Sequence, residues 1–168
     1  MSNLNFTDNL HTPIRGEFTI KVKDRNGNVV YTHQDLNLVV TQSKTILALL
    51  LAGDTTKAVT KIAFGQDSMS PAPDNETISG VQTISLAVGN NISGPDIVAL
   101  VKSLDGAVHS ALGQVIFQWS LDYEEANGLN ISEFGLLSTD QHLFARKTRG
   151  AILKQSDLAM EGSWKIIF

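Results

Sequence analysis

Four histidines are the first residues to weigh for chemistry: His11, His33, His109 and His142. They fall in separate segments, and no pair has the i, i+3 or i, i+4 spacing that brings two imidazoles onto one metal. Surface or edge histidines are the plainer reading. Asp122, Glu124 and Glu125 form an acidic cluster after a strand, and Asp67, Asp74 and Glu76 form a second one in a proline-containing loop. Hard cations such as Ca2+ take several carboxylate or carbonyl oxygens. A short acidic loop that is simply solvated has the same composition, so no cofactor or metal is assigned. No Gly-x-Ser-x-Gly element is present, and Glu161-Gly-Ser-Trp164 reads as the start of a strand. Gly65 and Gly89 stand alone, without a phosphate-binding loop around them. No pair of carboxylates stands out for glycoside hydrolysis. The residues predict a protein that is not an enzyme.

Arg146, Lys147, Arg149 and Lys154 are the only basic concentration. With no interleaved aromatic platform it is a poor nucleic-acid site. It suits instead an acidic patch on a partner, with the 122–125 loop of a neighbouring subunit as one candidate. Trp164 and Phe168 join Arg146, Lys147 and Arg149 as candidate interaction residues. Tyr31, Trp119 and Tyr123 are the rings to consider for stacking on a sugar.

These side chains need a scaffold, and the chain predicts a mainly β one. Glu17 to Lys23 alternates, with Phe18, Ile20 and Val22 on one face, and Asn26-Gly27 is a strong hairpin turn before a returning strand at 29–33. Residues 42–52 predict one main helix, capped by Thr41 or Ser43 and ended by Gly53. Its leucines cover more than one stripe, which predicts broad burial. Strands are expected at 59–65, 81–88 and 112–121, with 96–103 leaning to strand and Pro71 and Pro73 stiffening the loop at 66–76. The end of the chain predicts a hairpin, Asn130–Ser138 and Leu143–Arg149 around a polar turn. A closing strand follows, with Trp164, Ile166 and Phe168 on one buried face. The architecture expected is an antiparallel β-sandwich or open barrel over residues 15–168, with 1–14 as an N-terminal arm.

Composition agrees. The chain has 168 residues, 18 % of them charged, a net charge of −4 and no cysteine. The charge excludes a dedicated nucleic-acid binder, which needs a basic face. The missing thiols exclude disulfides and cysteine-based zinc sites. Residues 1–8 have neither the basic nor the apolar region of a secretory signal, and the longest apolar run, 46–52, is too short to span a bilayer. No membrane partner is expected.

Two stretches together resemble a known group. One runs from Asn37 through Leu50-Leu-Ala-Gly53 to Lys61-Ile-Ala-Phe-Gly65 and Pro73-Asp-Asn-Glu-Thr77. The other is Ile131-Ser-Glu-Phe-Gly-Leu-Leu137, then Leu143-Phe-Ala-Arg146 and Ser163-Trp-Lys-Ile-Ile-Phe168. Their order is similar to small virion proteins of tailed bacteriophages, the tail-fibre, collar and baseplate-associated type. Leu137 replaces a phenylalanine of that pattern, and Lys165 and Ile167 vary the last strand. The resemblance implies a structural subunit made in the bacterial cytoplasm and residing in the virion. It also implies a homo-oligomer, a trimer or hexamer, that docks onto other virion proteins. A carbohydrate-binding module contacting a host glycan is the alternative.

Overall fold

The computed structural model describes residues 14–66, 69–76, 78 and 99–168. The proposed arm and the strand expected at 81–88 lie outside them. Nine strands are described: β1 Arg15–Asp24, β2 Val29–Val39, β3 Val59–Gly65, β4 Ala99–Ser103, β5 Gly106–Ala111, β6 Gln114–Leu121, β7 Asn130–Ser138, β8 Leu143–Leu153 and β9 Leu158–Ile167. One α-helix, α1, spans Gln42–Leu51. The chain is mainly β, as its alternation predicts.

The strands form one antiparallel sheet in the order β4-β3-β7-β8-β2-β1-β9-β6-β5. Its two outermost strands, β4 and β5, are consecutive in the chain and separated only by Leu104 and Asp105. The sheet therefore curls, giving a half-barrel. Backbone bonds carry the flanking ladders through the β4–β5 corner: Leu104 N donates to Thr60 O (2.9 Å) and Asp105 N to Gln118 O (2.8 Å).

Aromatic rings fill the interior. Phe18 from β1 packs on Phe134 of β7 and Trp164 of β9, with centroids 4.7 and 5.1 Å apart, and Trp119 of β6 meets Phe64 of β3 at 5.3 Å. Such contacts stabilise beyond the area they bury. Gly162 makes the stack possible. A Cβ at that position would run into the Trp119 indole and the Thr19 carbonyl. Gly162→Ala is expected to cost about 1–3 kcal/mol through overpacking, read as a lower midpoint in urea unfolding.

The Asn26-Gly27 hairpin forms as its sequence predicts. Gly27 takes φ +81°, and Asp24 Oδ1 accepts from Asn26 N and Asn28 N, both at 2.9 Å. These bonds hold the Asp24 carboxyl below its ordinary range, the Asn28 side-chain amide contributing most.

Four expectations need correction. Helix α1 is not broadly buried: Ser43 and Ile46 are its only buried residues, Leu47 packs half-buried against the core, and Leu51 is 89 % exposed. The helix contacts β8 and sets Ile46 into the main aromatic cluster, so a single stripe suffices to seat it. Thr41 stands at the N-cap without a side-chain cap bond, and its backbone N donates to Pro73 O instead (2.8 Å). The middle strand begins at Gln114, because Leu112-Gly113 is the turn of a β5–β6 hairpin, with Gly113 at φ +68°. Finally, Trp164 and Ile166 are fully buried, but Phe168 lies past the end of β9 and is 46 % exposed.

Candidate interaction surface

Strand periodicity splits the basic run of β8 between two faces. Arg146 pairs across the ladder with Gly135, and Lys147 with the core residue Phe134. Adjacent residues of a strand point to opposite sides, so these two side chains serve different ends.

Arg146 is buried on the outer face of β7–β8, beneath the proline loop. Its Nε donates to Glu133 Oε1 at 2.6 Å and its Nη1 to Asn75 Oδ1 at 2.9 Å. Asn75 Oδ1 also accepts from Ala72 N (2.9 Å). The buried ion pair thereby latches the loop onto the sheet. Gly65 leaves room for the Glu133 carboxylate, and Gly135 leaves room for Ile78. Val40, Ala63, Val101, Leu137 and Leu143 complete this second apolar cluster with Ile78.

Lys147 and Arg149 reach across the one narrow join of the sheet. Strand β2 touches β8 only at Leu38–Arg146 and Val39–Ala145. From Val29 to Asn37, β2 is bonded to β1 on one side and has no strand on the other among the described residues. Tyr31, His33 and Asp35 stand opposite Val22, Ile20 and Phe18 of β1, so they share the core face of the sheet. Lys147 Nζ donates to Asp35 Oδ2 (2.5 Å) and Leu36 O (2.9 Å), and Arg149 Nη2 to Tyr31 Oη (3.0 Å). The Arg149 guanidinium lies over the Tyr31 ring, 4.8 Å from its centroid, a cation–π geometry. The Lys147 bond, then the Leu36 N–H, hold the Asp35 carboxyl below its ordinary range. This polar seam closes the gap that β8 leaves as it diverges.

The remaining candidate residues are accounted for within the chain. Trp164 and Trp119 are core, so neither presents a ring to a ligand. Tyr123 gives its hydroxyl to Asp24 O at 2.6 Å. The acidic loop is neutralised internally. Lys102 bonds both Glu125 oxygens at 2.9 and 2.8 Å, and Arg25 reaches Glu124 at 3.3 Å. Burial pushes the Glu125 carboxyl up, but the Lys102 bond and the Asp122 N–H outweigh it and the net shift is downward.

Lys154, fully buried, puts its ammonium beneath this loop, where Tyr123 O, Asn127 Oδ1 and Gln155 O accept at 3.4, 3.1 and 3.2 Å. A lysine cation thus takes the central place that the acidic sequence suggests for a metal. Among the described residues no group of three His, Asp or Glu side chains could hold an ion. Burial lowers the Lys154 pKa to about 8, against the pull of Glu125, Glu124, Asp122 and Asp157. The unfolded chain keeps this proton up to the ordinary value of 10.5. Between those values the unfolded state binds more protons, so this group's contribution to stability rises with pH across that window. NMR titration of the Lys154 ammonium is expected to give a midpoint near 8, and Lys154→Met to remove the slope.

At the β7–β8 turn, burial raises the Asp140 carboxyl, and bonds from Lys57, Ser138 and His142 overcome it, leaving it well below the carboxylate range. With Thr139 N bonded to Ala58 O (2.8 Å), this network ties the turn to the chain before β3. A groove on the outer face of β1, β9 and β6 is lined by Thr19, Lys21, Gln118, Ser120, Glu161 and Ser163, with Asp105, Trp119 and Gly162 also bordering it. It holds hydroxyl, amide and charged groups, and the Trp119 ring is 1 % exposed, so it offers no stacking platform.

Exposed apolar side chains include a set at edges and tips, Val29, Val30 and Leu36 on β2, Val108 and Leu112 on the β5–β6 hairpin, and Phe168; Leu49 and Leu51 on α1, Met69 in the proline loop and Leu153 at the end of β8 are exposed as well. Phe168 N bonds Gly113 O (2.9 Å), so the last residue sits against that hairpin's turn. No described helix is long and apolar enough to cross a membrane. A scan against family models and searches of curated proteins and of solved structures find nothing that matches this chain.

Proposed function

We propose that the chain is a structural subunit of a tailed-bacteriophage virion, at the tail, collar, baseplate or a fibre attachment, and that it acts by self-assembly and by docking to other virion proteins. The observation that carries the reading is the set of apolar side chains left exposed on strand edges and hairpin tips, around an interior sealed by aromatic packing. Isolated exposed apolar residues are ordinary, whereas sets at sheet edges favour association. The sequence resemblance supplies the virion setting. Trp119 is buried and the Tyr31 face is covered by Arg149, so the glycan-binding alternative has lost its best platforms. Size exclusion with light scattering is expected to give a homo-oligomer, and mass spectrometry of purified particles to find the chain. A monomer that is also missing from particles overturns the reading.

A further inference from the structure

We infer that the outer face of β5, β6 and β9, at the end where the β5–β6 hairpin turns, is a docking site for the N-terminal segment, residues 1–13, of a neighbouring copy of this chain. The inference rests on the assembly reading above and names the surface and the partner that reading would use.

The described residues build an apolar patch there. Val108 of β5 stands opposite Ile116 of β6, and Ile167 of β9 stands opposite Gln114, the next residue of β6 on that face. Phe117 and Ile166, beside them in sequence, are core, so Ile116 and Ile167 point outward by strand alternation. Val108 shares the face of the residue it opposes. At the end of the same strands, Leu112 is 97 % exposed and Phe168 is half exposed, with Phe168 N bonded to Gly113 O (2.9 Å). The Lys165–Glu17 ion pair (2.6 Å) borders the patch. An exposed apolar set with a polar rim marks a contact surface.

The occupant follows from where the chain leaves the sheet. Arg15, the first residue of β1, pairs with Ile167, so residues 1–13 depart from the border of the patch. They read Met-Ser-Asn-Leu-Asn-Phe-Thr-Asp-Asn-Leu-His-Thr-Pro. In an extended run Leu4, Phe6 and Leu10 share one side. Asp8 is the only carboxylate, and there is no lysine or arginine. Arg15 is exposed and has no ion pair among the described residues, which leaves it to receive Asp8. Thirteen extended residues span about 40 Å, enough to reach a second molecule. Two facts favour the neighbour's segment over the chain's own and over a patch-to-patch contact. Ile14 packs against the main cluster, so the chain enters β1 from the inner side of the sheet, opposite its own patch. Five partly exposed side chains also fall short of the roughly 800 Å² per partner of a stable interface, and the segment supplies the missing contact. A segment handed from each copy to the next is a heterologous contact, which closes into a ring such as a trimer or hexamer.

The chain has no cysteine, so introduced thiols report the contact. Phe6→Cys protein mixed with Val108→Cys protein is expected to form a dimer with a short bis-maleimide. The rate is expected to be at least tenfold above that of Phe6→Cys mixed with Ser120→Cys, a position on the polar part of the same face. Equal rates overturn the proposal, as do links that form within a Phe6→Cys/Val108→Cys double variant and not between chains. Leu112→Asp, at an exposed position, is expected to raise the dissociation constant of the oligomer at least tenfold with the circular dichroism unchanged, and removal of residues 1–12 to do the same. An oligomer indifferent to both changes overturns the proposal. Purified particles that contain the chain while the mixture fails to link would overturn the contact and leave the virion reading standing. Linking by a chain that is missing from particles would reject the virion reading and leave the contact standing.

Discussion

A chain shortened to end at Glu161 is expected not to fold. The truncation removes the last six positions of β9, which pairs along its length with both β1 and β6. Two neighbouring strands would lose their shared partner, and the interior would lose Trp164 and Ile166, both fully buried. Trp164→Ala alone is expected to cost about 3–5 kcal/mol, as large aromatic truncations in cores do. That is a large share of the roughly 5–15 kcal/mol that holds a domain together. Trp164→Phe is expected to cost clearly less. It keeps the edge-on contact with Phe18 and removes an indole N–H that has no acceptor among the described residues. Guanidinium unfolding followed by tryptophan fluorescence and circular dichroism ranks the three variants. A truncated chain with a native-like transition would contradict the account of β9.

The second large effect belongs to Arg146. Arg146→Leu leaves the Glu133 carboxylate buried without its guanidinium and releases Asn75 from the sheet. The expected loss is about 3–5 kcal/mol, the usual consequence of removing one member of a buried pair. Glu133→Leu is expected to lose a similar amount. The double variant is expected to recover much of the loss, since two apolar side chains then meet where two charges were desolvated. Limited proteolysis supplies an independent readout: cleavage within 69–76 is expected to increase in Arg146→Leu and to increase also in the double variant, because both lack the Asn75 bond. A double-mutant cycle with no coupling would show that the pair and the loop are not one unit.

How much of this was readable in the sequence follows from which signals are local. The first hairpin was legible because Asn-Gly dictates its turn and Phe18, Ile20 and Val22 mark its buried face. Strands β6 and β9 were legible for the same reason of period, β3 by the glycine that ends it, and β7 as an apolar run before a polar turn. Strand β5 was missed: Gly106 to Ala111 is built of small and polar residues and is exposed along its length, so no alternation marks it. The helix was placed correctly, but a leucine-rich stretch does not say which of its sides meets the sheet, and Leu49 and Leu51 face outward. The basic run was legible as a concentration of charge. Its division into a buried latch, a seam and a loop anchor was not, because that depends on register and on what covers each face. One signal was present. Glu133 shares its strand face with Gly135 and Leu137, and a carboxylate on a face otherwise apolar marks a buried partner, which here is Arg146.

Electron cryo-microscopy of a tailed-phage particle of the kind to which the proposal assigns this chain tests the central claim most directly. The account predicts ordered, symmetry-related copies of this half-barrel, with the exposed apolar side chains of β2, the β5–β6 hairpin or Phe168 buried against neighbouring subunits. A particle whose density is fully assigned without this chain would contradict it.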